Sequence, residues 1–404
     1  MQKGHVLATA GDRAANLLNE DVSLPAAVVD VRRLEGNLAW MQVFCNEHGV
    51  AFAPHGKTTM TPYIFRRQLA HGAWGLTIAT AVQARAAHEA GCRRLLMANQ
   101  LVGRANMEIV AELQTDPELQ FYCLVDSPDN VAALDDVFSA RRQTVRVLLE
   151  IGADGGRCGC RSPEQVHAVL DAIAKAQAVC LAGVELYEGV IHGDDAVPRI
   201  RAFLQKGMRL VADLQADGRF GVARPLFTAA GSAWYDIVAD TVRDLPTSVL
   251  PVLRPGCYAI HDEGIYRDAQ QAVLDRSPSA CAIPGELSNC LEIWACVQST
   301  PEPGQLIAGL GKRDAAFDAG LPQPLRHFRP DRDTHPQPLV GTGWRAERIM
   351  DQHLFVTFPA DSDVKVGDLL AFGQSHPCLT MDKWRQIHLV NDRLDILETV
   401  ETQF

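Results

Sequence analysis

The 404-residue chain is 47% hydrophobic and 22% charged and carries a formal net charge of -11, the profile of a globular enzyme-sized protein with room for two domains. The acidic balance, with no basic run to offset it, argues against a nucleic-acid partner or an anionic membrane surface. No apolar stretch is long enough to span a bilayer, the N-terminal MQKGHVLATAGDRAANLL lacks a signal-peptide core, and eleven cysteines without paired spacing read as reduced thiols of a cytoplasmic protein.

In chain order, Ala26–Val31 reads as a short strand and Arg33–His48 as a helix with apolar positions at Leu34, Leu38, Met41 and Cys45. A regular alternation starts at residue 50. Strand-like runs at Val50–Pro54, Gly75–Thr80, Arg94–Asn99, Gln120–Asp126, Val145–Ile151, Leu181–Tyr187, Ala223–Thr228 and Ser248–Leu253 are separated by amphipathic stretches such as Val82–Ala90, Pro128–Phe138, Pro163–Ala176 and Ile200–Ala216. A doubly wound open sheet would also alternate, but eight such units favour a (β/α)8 barrel. After Pro255 the helical period fades. Pro and Gly then punctuate short runs at Leu291–Gln298, Leu306–Leu310, Leu354–Phe358 and Leu369–Phe372, which predict an antiparallel β-domain. The predicted division is a barrel over 26–255 and a β-domain from 1–25, supplying a strand, and 256–404, with Gly320–Gly343 as a long polar excursion.

Lys57 follows the first of the eight barrel runs and precedes a helical pattern opened by Pro62. That is the C-terminal end of a barrel strand, where barrels keep their chemistry. Partial desolvation there would lower the amine pKa and make Lys57 a Schiff-base nucleophile; an ordinary loop lysine is the alternative. The loop after the seventh run, Thr228 to Ser232, enters a helix at Ala233, so its small residues and Ser232 leave backbone N–H groups for an anion. The loop after the eighth is Arg254-Pro255-Gly256-Cys257-Tyr258, and barrels often hold phosphate between these two loops. A Schiff-base lysine and a phosphate site on one barrel face suggest pyridoxal 5'-phosphate. Arg157, in a glycine-rich loop after the fifth run, can project over the mouth, and a cation facing the pyridine nitrogen would keep it unprotonated. Tyr187 ends the sixth run, where its ring packs either beside a cofactor or in the core. In Ser375-His376-Pro377-Cys378 an extended backbone would turn His376 and Cys378 to the same side, toward one metal. Imidazole plus thiolate suits zinc, with an open shell for substrate.

These stretches together, APHGKTTMTP at Lys57, GGRCG at Arg157, RPGCY and the late SHPC, resemble the D-serine dehydratase and D-threonine aldolase family, pyridoxal-phosphate enzymes of the alanine-racemase fold type. The resemblance covers nearly the whole chain in order and is nearest to bacterial members loosely described as amino-acid deaminases. It implies a cofactor-bearing barrel, a β-domain with a divalent metal (zinc first, manganese or magnesium as alternatives), and a homodimer with active sites near its interface. It also implies an internal aldimine at Lys57, Arg157 near the ring nitrogen, and a phosphate held around Gly231, Ser232, Gly256, Cys257 and Tyr258. His376 and Cys378 become the metal ligands. The chain departs from the family in Thr58-Thr59 after the lysine, in the less glycine-rich AAGSAW loop and in the 320–343 excursion; these bear on the substrate more than on the cofactor.

By the same resemblance the expected reaction is dehydration of a small D-3-hydroxy amino acid such as D-serine or D-threonine, giving a 2-oxo acid and ammonia. Family members with His-x-Cys resemble dehydratases, whereas His-x-Asp accompanies retro-aldol cleavage, the second option. A non-catalytic pyridoxal-phosphate carrier is a further alternative, weakened by the C-terminal domain. Racemisation is weakened because no tyrosine follows Arg267 to act from the β-domain.

Overall fold

The computed structural model describes residues 3–7 and 14–404. Strand β1 (Ala26–Asp30) leads into the helix Val31–Glu47, and eight barrel strands follow. They are β2 (Ala51–Phe52), β3 (Leu76–Ile78), β4 (Arg94–Gln100), β5 (Gln120–Val125), β6 (Val145–Ile151), β7 (Val179–Leu186), β8 (Leu226–Ala229) and β9 (Leu250–Leu253). All the pairings among them are parallel, in the order β2-β9-β8-β7-β6-β5-β4-β3. The remaining seam, between β2 and β3, is bridged at His55 and Thr77, with Thr77 N–H donating to Pro54 O at 2.9 Å. Ala53, Leu96, Leu124, Leu148, Ala182, Leu226 and Val252 pack into one cluster drawn from around the ring, as a barrel interior requires.

Local chemistry starts the helices where the alternation places them. Asp30 caps Val31–Glu47, Thr80 caps Ala81–Glu89 and Ser127 caps Pro128–Ala140. Ser162 and Gln165 form a reciprocal capping box at Pro163–Lys175, with proline in the first turn, where its missing N–H costs nothing.

The second sheet is built from β10 (Leu291–Glu302), β11 (Gln305–Ala308), β12 (Gln323–Phe328), β13 (Gln337–Pro338), β14 (Arg345–Ile349), β15 (Leu354–Thr357), β16 (Leu369–Gly373), β17 (Gln386–Val390) and β18 (Ile396–Glu401). Its main path runs β13-β12-β16-β10-β1-β17-β18, and β11, β15 and β14 extend it from β10. The architecture is thus a (β/α)8 barrel with a C-terminal, mainly antiparallel β-domain.

Three expectations change. β1, read as part of the barrel, lies in the second sheet, antiparallel to β10 (Ala26 opposite Trp294) and parallel to β17 (Val28 opposite His388). The strand expected from residues 1–25 falls partly on 1–2 and 8–13, outside the described residues; the rest offers only single bridges, Val6 to Val22 and Asn16 to Asp395. The 320–343 excursion is not a loop throughout, since it supplies β12 and β13. Two of its basic residues are held by Asp368 of the loop before β16: Asp368 takes hydrogen bonds of 2.9 Å from Arg329 Nε and Nη2 and lies 2.7 Å from His327 Nε2. No helix among the described residues is long and apolar enough to cross a membrane.

Candidate active site

A cavity of about 300 Å³ opens at the C-terminal mouth of the barrel, against the β-domain. It gathers Lys57, Arg157, Tyr187, Gly231, Ser232, Gly256, Cys257, His376 and Cys378. Tyr258 is not among its lining residues. That ring is buried edge-on to Phe52, with centroids 5.2 Å apart, and its hydroxyl accepts from Gln68 at 3.1 Å, so a phosphate role for its side chain is not supported.

Lys57 sits in the single turn Gly56–Thr58 that follows β2. Its side chain is exposed toward the cavity, not desolvated as expected, and it makes no hydrogen bond or ion pair among the described residues. Beside it His55 is kept neutral: burial first, then the charges of Lys57, Arg254 and Arg157, push its imidazole well below the usual range.

Charge beneath the mouth comes from inward positions at strand ends. Glu150 on β6 and Glu185 on β7 are register partners. Arg254 follows β9, is 5% exposed, pairs with Glu185 and donates to Leu186 O at 2.9 Å. Its Nε is buried without a partner. Gln100 donates to Glu150, whose carboxyl is pushed up to about 7 by burial and then by Glu185. Asp126, Glu150 and Cys158 also bring ligand-type atoms within 4.8 Å of one another. Arg157 lies at the exposed rim, its guanidinium 4.2 Å from the Tyr187 ring centre.

The two glycine-bearing loops meet as expected, but not with the expected donors. Ser232 Oγ accepts from the N–H groups of both Gly256 and Cys257 at 3.3 Å. The N–H groups of Ala230 and Gly231 are not free: they donate to the Glu188 carboxylate at 3.0 and 2.6 Å. The helix beyond starts at Tyr235, not at Ala233.

On the β-domain side, His376 is extended, whereas Cys378 lies in the one-turn helix Pro377–Met381; the segment is not extended throughout. Asp318 Oδ2 lies 2.7 Å from His376 Nδ1, which leaves Nε2 for another partner. Cys378 Sγ is 3.7 Å from Cys257 Sγ and 3.4 Å from Thr58 Oγ1. Hydrogen bonding to Cys257, together with His376, holds the Cys378 thiol down to about 4. Bonding to that sulfur, then to Asp318, lifts His376 to about 9. Both shifts favour the charged forms of the pair, and a divalent cation would take the place of the imidazole proton.

Sequence reasoning missed Arg254 as a cavity cation, Glu150, Glu188, Asp318 and Tyr266. The alternation of inward and outward positions at strand ends could have flagged Glu150 and Arg254. Asp318 stands 58 positions from its histidine and carries no local signal. Tyr266, in the helix Ile265–Arg276, lines the cavity, and burial, then the neighbouring Cys257, pushes its phenol up. The lack of tyrosine beyond Arg267 therefore does not leave the cavity without a phenol.

Two family models match the chain: "Alanine racemase, N-terminal domain" over residues 29–244 and "Putative serine dehydratase domain" over 290–390. The chain is similar to a D-threonine aldolase of Arthrobacter sp., 25% identical over 348 residues that cover 83% of this chain and 87% of that protein. Among solved structures it resembles D-threonine aldolase from Filomicrobium marinum, with a TM-score of 0.78 and 24% identity over 97% of this chain and 98% of that one. It also resembles D-threo-3-hydroxyaspartate dehydratase from Delftia sp. HT23, with a TM-score of 0.74 and 19% identity over 96% and 99%. A cysteine-to-alanine mutant of that dehydratase was solved in a metal-free form. The first family model spans more than half of the sequence, and the chain belongs to the family of the alanine racemase N-terminal domain, here joined to a serine dehydratase-type domain.

Proposed function

We propose that the protein is a pyridoxal-phosphate- and divalent-metal-dependent lyase that eliminates the β-hydroxyl of a D-3-hydroxy amino acid, leaving a 2-oxo acid and ammonia. One observation carries this reading: Lys57 from the barrel and His376 with Cys378 from the β-domain line a single cavity of about 300 Å³. The residues fit both groups. For the cofactor there is a free lysine amine, a hydroxyl flanked by two backbone amides at Ser232, and a buried guanidinium with an unpartnered Nε at Arg254. For the metal there is an imidazole and thiolate donor set with Asp318 orienting the ring.

The pyridoxal group supplies an electron sink that acidifies the substrate Cα–H, and the metal supplies Lewis acidity toward a hydroxyl leaving group. The chain does the rest. Lys57 would hold the cofactor through Nζ and, once the substrate amine has displaced it and freed that amine, would accept the Cα proton there. Ser232, Gly256 and Cys257 bind the phosphate. Arg254, as the buried cation, suits the ring nitrogen better than Arg157, whose exposed guanidinium stays available to the substrate. His376 and Cys378 hold the metal, zinc by preference. A cytoplasmic homodimer belongs to the same reading: Ile265, Phe317 and Leu379 are exposed next to Tyr266, Asp318 and Cys378, and light scattering tests it.

Retro-aldol cleavage is the second reading, favoured by the aldolase names of the relatives and opposed by the cysteine in the metal pair. The purified protein, loaded with pyridoxal phosphate and zinc, is assayed with D-serine, D-threonine and D-3-hydroxyaspartate. Ammonia and a 2-oxo acid, lost on chelation, support elimination; glycine and an aldehyde move the assignment to cleavage. If Lys57→Ala keeps both turnover and the cofactor's absorption band near the visible edge, the lysine assignment is wrong.

A further inference from the structure

Glu188 opens the short turn Glu188–Val190 directly after β7 and has no exposed surface. Burial raises its carboxyl, while its own N–H and those of Gly231 and Ala230 pull it back. A buried carboxylate is retained at a cost unless it is hydrogen-bonded, and this one spends both oxygens on adjacent amides of the loop that carries Ser232. Those are Ala230 N–H at 3.0 Å on Oε2 and Gly231 N–H at 2.6 Å on Oε1.

The loop needs such a hold. Ala230 has φ +85°, a left-handed conformation that is unfavourable for a residue with a Cβ. Gly231 is packed against Tyr187, and a Cβ there would lie 3.2 Å from that ring and 3.6 Å from Glu188 Oε1. With Ala230 and Gly231 fixed from behind, Ser232 falls where its hydroxyl meets the Gly256 and Cys257 amides of the neighbouring loop.

We infer that Glu188 is a positioning residue for phosphate recognition: it occupies the Ala230 and Gly231 amides itself and thereby sets Ser232, Gly256 and Cys257 as the phosphate grip. The inference rests on reading the cavity as a pyridoxal-phosphate site. It specifies that a phosphate would be met by the Ser232 hydroxyl and by the Gly256 and Cys257 amides, which give up only long 3.3 Å bonds to a neutral hydroxyl, and not by the Ala230 and Gly231 amides, held at 3.0 and 2.6 Å by a carboxylate.

The test compares two aldehydes that differ only in the phosphate. Full-length wild type, Glu188→Gln and Glu188→Ala are titrated with pyridoxal 5'-phosphate and with pyridoxal, and the visible-edge absorption band is read. In Glu188→Ala, affinity for pyridoxal phosphate is expected to fall about tenfold or more, because two buried amides lose their acceptor and the loop relaxes. Affinity for pyridoxal should stay within about twofold, and Glu188→Gln, which keeps one acceptor oxygen, should fall between. Should the alanine variant not fold, the glutamine variant alone must still lose phosphate selectivity. Equal weakening for both aldehydes, or tighter pyridoxal-phosphate binding once the two amides are freed, would overturn the inference while leaving the cofactor reading intact. A wild type with no band for either aldehyde overturns the cofactor reading and the inference with it.

Discussion

Replacing Glu150 by Gln should remove a pH dependence that the fold builds into the barrel floor. Glu150 is raised from an ordinary 4.5 to about 7, by burial first and by Glu185 second, with Asp126 adding to it. A carboxyl raised in the folded state binds its proton more tightly there than in the unfolded chain. Its contribution to stability is therefore fully present below pH 4.5 and is lost as pH rises through about 7. At about 1.36 kcal/mol per unit, ionising Glu150 in place costs on the order of 3 kcal/mol. Glutamine has the same shape, and its carbonyl can still accept from Gln100, but it never ionises. The thermal midpoint of the variant minus that of wild type should be near zero at about pH 4.5 and rise to a plateau of several degrees above about pH 8. Groups that do not face Glu150 contribute equally to both proteins, so the difference reports Glu150 together with its coupling to Glu185 and Asp126. A gap that stays flat from pH 5 to 8 would refute the argument.

Two further perturbations probe the rim of the site. Asp318→Ala leaves the His376 ring without the partner 2.7 Å from Nδ1, and zinc affinity, measured by competition with a chelator, should drop about 10–100-fold; unchanged affinity would deny Asp318 any orienting part. Gly256→Ala places a methyl 2.7 Å from both His55 O and Thr58 Oγ1. The loop must then shift away from Ser232, at a stability cost of about 1–3 kcal/mol together with faster loss of pyridoxal phosphate on dialysis. A variant as stable and as retentive as wild type would count against the close approach at this position.

The barrel was legible because parallel strands covered on both faces are dominated by apolar, often branched residues, and Val145 to Ile151 keeps its boundaries although Arg146 and Glu150 interrupt the apolar run. β1 was misplaced for the same reason. Its apolar run leads straight into a helix, like a barrel unit, and only pairing with strands hundreds of positions away assigns it to the other sheet. The site was legible where one residue type carries the chemistry, as with Lys57, Ser232 and the His376 and Cys378 pair, all of which line the cavity. It was illegible where role depends on depth. Arg157 and Arg254 are equivalent as letters, yet one lies on the rim and the other is buried beside a carboxylate. Tyr258 adjoins Cys257 in sequence but points its hydroxyl at Gln68.

The placement of β1 between β10 and β17 also bears on how the chain folds as it is made. The barrel segment from β2 to β9 contains all its own strand partners, so it can close while the rest is still being synthesised. β1 is made before it but must wait with both edges unpaired until Leu291–Glu302 and then Gln386–Val390 have emerged. Such long-range pairing is slow and exposes strand edges to wrong partners. Residues 256–404 produced alone would lack the strand that joins the two halves of their sheet, including the half that borders His376 and Cys378. Supplying residues 26–30 at either end of that fragment would restore the missing strand between β10 and β17.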